Sequence, residues 1–193
     1  MTCIAACKID GKVFIGSDSQ TNSSGVKDNN MRKITKFPHY MIGKAGDYAI
    51  HKFLEDASKD PSWESPPIQS ETMARGLAKR ILQAYKADGE GNPDDDDATG
   101  PEVMFIITTP TAIYEVDGYL LVHERESFSS VGTGAPYAKA AMQVMLEEKI
   151  TNDGIELLNK ALRIAAANDL YSGLPVYVFE VKEDLPPKRR PKK

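Results

Sequence analysis

Thr2 follows a single methionine, so loss of Met1 would put a hydroxyl and a free amine on one residue. Threonine is small enough that methionine aminopeptidases are expected to remove Met1. A free α-amine has a reference pKa of about 7.7–8.0, so near neutral pH part of it is unprotonated and can accept the proton of its own hydroxyl. Nucleophile and base then come from one residue, and no histidine is required. With Met1 retained, the same nitrogen is an amide without basicity and the chemistry is lost. Two charged residues stand where such a nucleophile would need them. Asp18 ends the apolar run Val13-Phe14-Ile15-Gly16-Ser17, and Lys33 lies among alternating apolar residues between Met31 and Phe37. A lysine held near a carboxylate and a reacting hydroxyl lowers the electrostatic cost of forming the alkoxide.

These residues need elements to hold them. Residues 2–9 alternate enough for a strand, Asp10-Gly11 is a hairpin turn signal, and residues 12–17 form a second strand that delivers Asp18 to its end. Further strands are expected over 32–37 and 39–43, then a helix over 47–58. The proline-rich connection at 60–67 holds Trp63, expected to be a packing anchor, and separates this helix from a second one over 70–86, started by Ser70, Glu71 and Thr72. Strands follow at 103–109, 111–116 and 119–124, helices at 135–148 and 153–168, and a closing strand at 176–181. Strands, two helices, strands, two helices and a strand predict an α+β chain, in a pattern that suits a four-layer αββα sandwich although periodicity alone supports only α+β. Asp169, Ser172 and Gly173 fit a helix C-cap leading into that last strand.

Five segments in order carry a resemblance to a known family. Thr2 to Gln20 resembles the opening of proteasome β-type subunits, and most closely that of HslV-like threonine peptidases, the bacterial ATP-dependent members of the N-terminal-nucleophile hydrolases. Arg32-Lys33-Ile34 is similar to the segment with the family's catalytic lysine. Met41-Ile42-Gly43-Lys44-Ala45-Gly46-Asp47 resembles the glycine-rich turn whose N–H is the oxyanion donor. Val131-Gly132-Thr133-Gly134-Ala135-Pro136-Tyr137-Ala138 and Asn168-Asp169-Leu170-Tyr171-Ser172-Gly173 complete the set. The resemblance implies Thr2 as nucleophile and base, Asp18 and Lys33 as a charge pair beside it, Gly43 as oxyanion donor, and Thr133, Asp169 and Ser172 as a polar cluster orienting the amine. It also implies the αββα architecture of that hydrolase class. Thr133 stands where the family usually has serine, and Lys44 and Asp47 replace apolar or small residues.

The function so implied is that of a threonine-type endopeptidase subunit in a homo-oligomeric, ring-forming protease acting on peptides or unfolded proteins, with an ATP-dependent unfoldase as partner. Two alternatives stand beside it: an amidase or acylase of the same fold acting on small molecules, and an inactive structural or binding subunit. The joint presence of Thr2, Asp18, Lys33, Asp169 and Ser172 argues against the inactive subunit.

Composition is consistent with a chain that folds around one core. At 193 residues and 41% hydrophobic, the chain can bury one core and is too short to expect two, which suggests a domain over 2–181 and a basic, disordered tail over 182–193. No stretch nears the roughly 20 apolar residues of a membrane span, and the start lacks the pattern of a signal peptide, so a cytoplasmic protein is expected. Cys3 and Cys7 on one strand would be about 13 Å apart, too far for a disulfide. The three histidines lack metal-ligand spacing, and the acidic run Asp94–Asp97 reads as a solvated loop, so neither cofactor nor metal is expected. The net charge of −4 and a tail without aromatics argue against a nucleic-acid partner.

Overall fold

The computed structural model describes residues 2–23, 26–29, 31–46, 48–63, 66–87 and 103–183. Met1, Asp47, the acidic run at 94–97 and the tail from 184 onward lie outside the described residues.

Strand β1 (Ile4–Ile9) is apolar at consecutive positions because both of its faces are covered. With side chains alternating across the sheet, Cys3, Ala5 and Cys7 enter one buried cluster while Ile4 and Ala6 enter another. β1 pairs with β2 (Lys12–Asp18), β2 with β11 (Val176–Glu180), and β1 also with β10 (Phe128–Val131), giving an antiparallel sheet in the order β10-β1-β2-β11. The second sheet runs β5 (Ile34–Lys36), β6 (Met41–Ala45), β7 (Met104–Thr108), β8 (Ile113–Val116) and β9 (Val122–Arg125) in sequence order. A small ribbon, β3 (Thr21–Ser23) with β4 (Val26–Asp28), stands apart.

Three apolar clusters define four layers. Ile4, Val13, Ile15, Met41, Ile106 and Ile113 pack the two sheets face to face. On the outer side of the second sheet, α1 (Tyr48–Ala57) and α2 (Glu71–Ala87) cover Ile42, Phe105 and Ile107 with Ile50, Leu54, Leu77 and Ile81. On the outer side of the first, α3 (Ala135–Glu147) and α4 (Gly154–Asn168) cover Ala5 and Phe14 with Met142, Leu157, Leu158 and Leu162. The architecture is the αββα sandwich read from the order of elements. Helix starts follow local chemistry: the Ser70 hydroxyl accepts from the Met73 amide at 3.3 Å, and Asp153 accepts from the Ile155 amide at 2.8 Å. Trp63, expected to be an anchor, is buried with the Arg80 guanidinium 4.3 Å above its ring. Cys3 and Cys7 are buried free thiols. No helix among the described residues is long and apolar enough to cross a membrane.

Several boundaries differ from the sequence expectations. The strand expected over 119–124 begins at Val122, because the Asp117 carboxylate accepts from the amides of Tyr119 and Leu121 and closes a loop there. The strand expected from 111 begins at Ile113, since the Thr109 hydroxyl caps the amides of Thr111 and Ala112. The β3–β4 ribbon and β10 are additions.

Gly43 lies in the middle of β6, on the side facing the first sheet. A Cβ built there would be 2.4 Å from Ile4 Cγ2 and 3.2 Å from Ile15 Cδ1. Gly43→Ala is therefore expected to push the sheets apart and destabilise the fold by about 1–3 kcal/mol. Thermal denaturation checks this, and an unchanged midpoint would contradict it.

Candidate active site

Both sheets converge on Thr2. The register of β1 against β2 pairs Ile4 with Ser17, which puts Asp18 opposite Cys3. The Cys3 amide donates to Asp18 Oδ1 at 2.8 Å, and the Asp18 amide returns a bond to the Cys3 carbonyl at 3.0 Å. The acid thus grips the backbone of the residue immediately after Thr2. Asp18 is fully buried, and its second oxygen accepts from the amides of Gln20 at 3.0 Å and Gly173 at 3.1 Å. Lys33, just before β5, donates from Nζ to Asp18 Oδ1 at 2.7 Å and to the Gln20 carbonyl. Burial pulls the Lys33 pKa below the ordinary ammonium value, and the Asp18 carboxylate opposes that shift. The carboxylate is therefore satisfied by one ammonium and three amides, an arrangement that fixes a charge in a buried site.

The second group forms at the start of α3 and the end of α4. Asp169 is the C-cap of α4, and its Oδ2 accepts from the Thr133 hydroxyl at 2.8 Å and from the Ser172 hydroxyl at 2.6 Å. Thr133 keeps the hydroxyl function despite its extra methyl. The Gly134 amide, beside Thr133, donates to the Thr2 carbonyl at 3.3 Å. Gly132 has φ +95°, and a Cβ there would be 2.1 Å from the Thr2 carbonyl oxygen. Only glycine lets the β10–α3 turn pass so close to the N-terminal strand. The Gly173 amide on Asp18 ties this group to the first.

Thr2 is thus joined to both groups, Asp18 to Lys33, and Thr133 and Ser172 to Asp169. Gly43 is not brought there. It is paired with Ile34 on one side and Ile106 on the other, so its amide is committed to the sheet interior. The part of β6 that reaches the site is its end: Ala45 Cβ lies 3.3 Å from the Cβ position of Gly132, and Gly46 follows beyond the last paired residue.

Sequence reading missed three contributors. Gln20 supplies an amide to Asp18 and a carbonyl to Lys33, and its side chain donates to the Leu170 carbonyl at 3.0 Å. The strand period places residue 20 on the same side as 18, which is the signal that could have found it. Gly132 and Gly134 were legible only as a glycine on each side of Thr133. Cys3 adds no reactivity: burial raises its thiol pKa to about 12.

Comparison with known proteins gives a consistent result. Residues 1–181 match the family profile described as Proteasome subunit. The chain is 26% identical to the proteasome subunit beta of Nanoarchaeum equitans over 94% of this chain and 93% of that one. It is 25% identical to the ATP-dependent protease subunit HslV of Caldicellulosiruptor saccharolyticus over 93% and 98% respectively. The solved structure of Thiobacillus denitrificans BPH in complex with epoxomicin has the same fold, with a TM-score of 0.80 and 23% identity over 95% of this chain and 100% of that one. By the sandwich architecture and a family match that runs through β11, this chain belongs to the proteasome subunit family.

Proposed function

We propose that this chain is a threonine-type endopeptidase subunit of a cytoplasmic, ring-forming protease, with Thr2 as nucleophile once Met1 is removed. The observation that carries the reading is the double attachment of Asp18, which holds Lys33 and the amide next to Thr2 with the same oxygen. In the proposed reaction Thr2 Oγ attacks the peptide carbonyl carbon and its proton passes to the Thr2 α-amine. The tetrahedral intermediate expels the leaving amine, which takes that proton, and an ester to Thr2 remains. Water then gives a proton to the same amine and attacks the ester, releasing the acid and restoring the hydroxyl. Lys33 lowers the cost of negative charge on Oγ. Thr133, Asp169 and Ser172 orient the amine. The oxyanion donor in this scheme is the Gly46 amide, in place of Gly43, because Gly46 lies past the β6 ladder at the strand end next to Gly132.

Two relatives support the reading. One is named an ATP-dependent protease subunit, and another is titled as a complex with epoxomicin. An ATP-driven unfoldase as partner and unfolded proteins as substrates are part of this proposal, and the name of the first, an ATP-dependent protease subunit, is consistent with them. Exposed apolar side chains on the outer helices, Tyr137 and Val144 on α3 and Ile155 and Ile164 on α4, suit contacts between copies of the chain. The processed protein is accordingly expected to cleave fluorogenic peptides and unfolded casein and to elute far above its 21.2 kDa mass. A monomer that hydrolyses simple N-acyl amides but no peptide would overturn the proposal in favour of an amidase.

A further inference from the structure

Ser17 in β2 and Ser19 just beyond it are both 0% exposed, and neither Oγ has a hydrogen-bond partner among the described residues. A buried hydroxyl left without a partner is destabilising. Both share a face with the nucleophile. Val13 and Ile15 of β2 and Ile4 of β1 enter the cluster between the two sheets, and alternation along the strands puts Ser17, Ser19 and Thr2 on that face as well. Ser17 stands opposite Ile4, which offers no bond. Ser19 comes opposite Thr2.

The backbone bonds define the Thr2–Ser19 pair. The Asp18 amide reaches the Cys3 carbonyl at 3.0 Å, so the two chains still run together at that step. One residue on, both turn their polar groups outward. The Thr2 carbonyl accepts from the Gly134 amide on one side, and on the other the Ser19 amide donates to the Gly173 carbonyl at 3.2 Å. The Ser19 carbonyl accepts from the Met31 amide, also at 3.2 Å. Facing residues that do not bond each other are the close kind of antiparallel pair, with Cα atoms about 4.5 Å apart and side chains near one another. The backbone of Ser19 is thus held, while its hydroxyl can turn about χ1 among staggered positions.

We infer that Ser19 is a further catalytic residue, whose hydroxyl donates a hydrogen bond to Thr2 Oγ when that oxygen carries negative charge. The inference rests on the peptidase reading above. Oγ becomes negative twice, first as its proton leaves for the α-amine and again as it is expelled from the ester. A hydrogen bond to an ionised oxygen is stronger than one to a neutral hydroxyl, so the contact favours the transition states over the resting enzyme. Ser19 keeps its own proton throughout, and the proton path through the α-amine is unchanged. Lys33 and Ser19 then act on the same oxygen, one by charge and one by a hydrogen bond. The unpartnered hydroxyl of the resting site is the donor held available for that moment.

Ser19→Ala and Ser17→Ala, each made in the processed protein and read by fluorogenic-peptide kinetics and thermal denaturation, test the inference. Ser17→Ala removes an equivalent hydroxyl from the same strand face, opposite Ile4 instead of Thr2. Ser19→Ala lowers kcat by about 10- to 100-fold, the effect of one hydrogen bond to a charged group. Its KM stays close to that of the wild type, so kcat and kcat/KM fall together, as expected for a contact made only in the transition state. Its melting midpoint is no lower than that of the wild type, because the deleted hydroxyl had no partner to lose. Ser17→Ala melts no lower either and keeps the wild-type kcat. The inference is overturned if Ser19→Ala turns over normally, if it melts well below the wild type, or if Ser17→Ala loses as much activity as Ser19→Ala. A wild type that cleaves no peptide removes the peptidase reading itself, and this inference with it, whereas an active wild type with an equally active Ser19→Ala removes only the inference.

Discussion

Thr2→Ala is expected to abolish peptide hydrolysis, lowering kcat by at least about 10⁴-fold as removal of a covalent nucleophile does elsewhere, while the protein remains folded. The change deletes the attacking oxygen and leaves the α-amine in place. Fold retention is expected because the described contact of Thr2 with the β10–α3 turn runs through its backbone carbonyl, which accepts from Gly134 and is unaffected by the side chain. Loss of a hydroxyl and a methyl at a residue 4% exposed should cost about 1 kcal/mol. Peptide turnover and a melting curve on the same sample separate the two effects. Substantial turnover by Thr2→Ala would contradict the mechanism.

Lys33→Ala and Lys33→Arg are both expected to lower kcat by about 10²–10³-fold, the effect of removing a preorganised stabiliser of transition-state charge. The arginine variant is the more informative. Lys33 Nζ fits between Asp18 Oδ1 and the Gln20 carbonyl at a residue only 2% exposed, and a planar guanidinium is too wide to replace a compact ammonium there. Breaking a buried ion pair commonly costs about 3–5 kcal/mol because an uncompensated charge is left behind. Here the cost should sit at the low end, since the amides of Cys3, Gln20 and Gly173 still hold the carboxylate. A steep loss of rate with a modest loss of stability, read from steady-state kinetics and denaturation, is the expected pattern. Near-normal rates in Lys33→Arg would contradict the role given to Lys33.

Asp18 and Asp169 were legible because each sits at a boundary that local sequence marks, whereas the roles of Thr133 and Ser172 came only from the family resemblance. Asp18 ends an apolar strand, and Asp169 ends an apolar helical pattern. Lys33 was legible by its place between apolar neighbours. Gly43 went astray for a physical reason: in Met-Ile-Gly-Lys-Ala-Gly both glycines suit a turn, and only pairing with Ile34 and Ile106 shows that the first is inside a strand. β10 was missed because Phe128-Ser129-Ser130-Val131 looks polar. In the fold both serines are buried, with Ser129 donating to Glu115 at 2.6 Å and Ser130 to the Ile4 carbonyl at 2.6 Å. Such satisfaction comes from partners more than 10 residues away and cannot be read from a short window. The β3–β4 ribbon has strands of three residues, too short for a period to register.

Every step assigned to Thr2 requires its amine to be free. The most direct measurement is the intact mass of the protein produced in a cell with active methionine aminopeptidase, before and after treatment with an epoxyketone, a reagent that needs both the hydroxyl and the free amine of an N-terminal threonine. The account predicts a chain lacking Met1 that gains one inhibitor mass on Thr2 and loses peptidase activity in proportion. A chain that retains Met1, takes up no inhibitor and cleaves no peptide would contradict it and favour an inactive subunit.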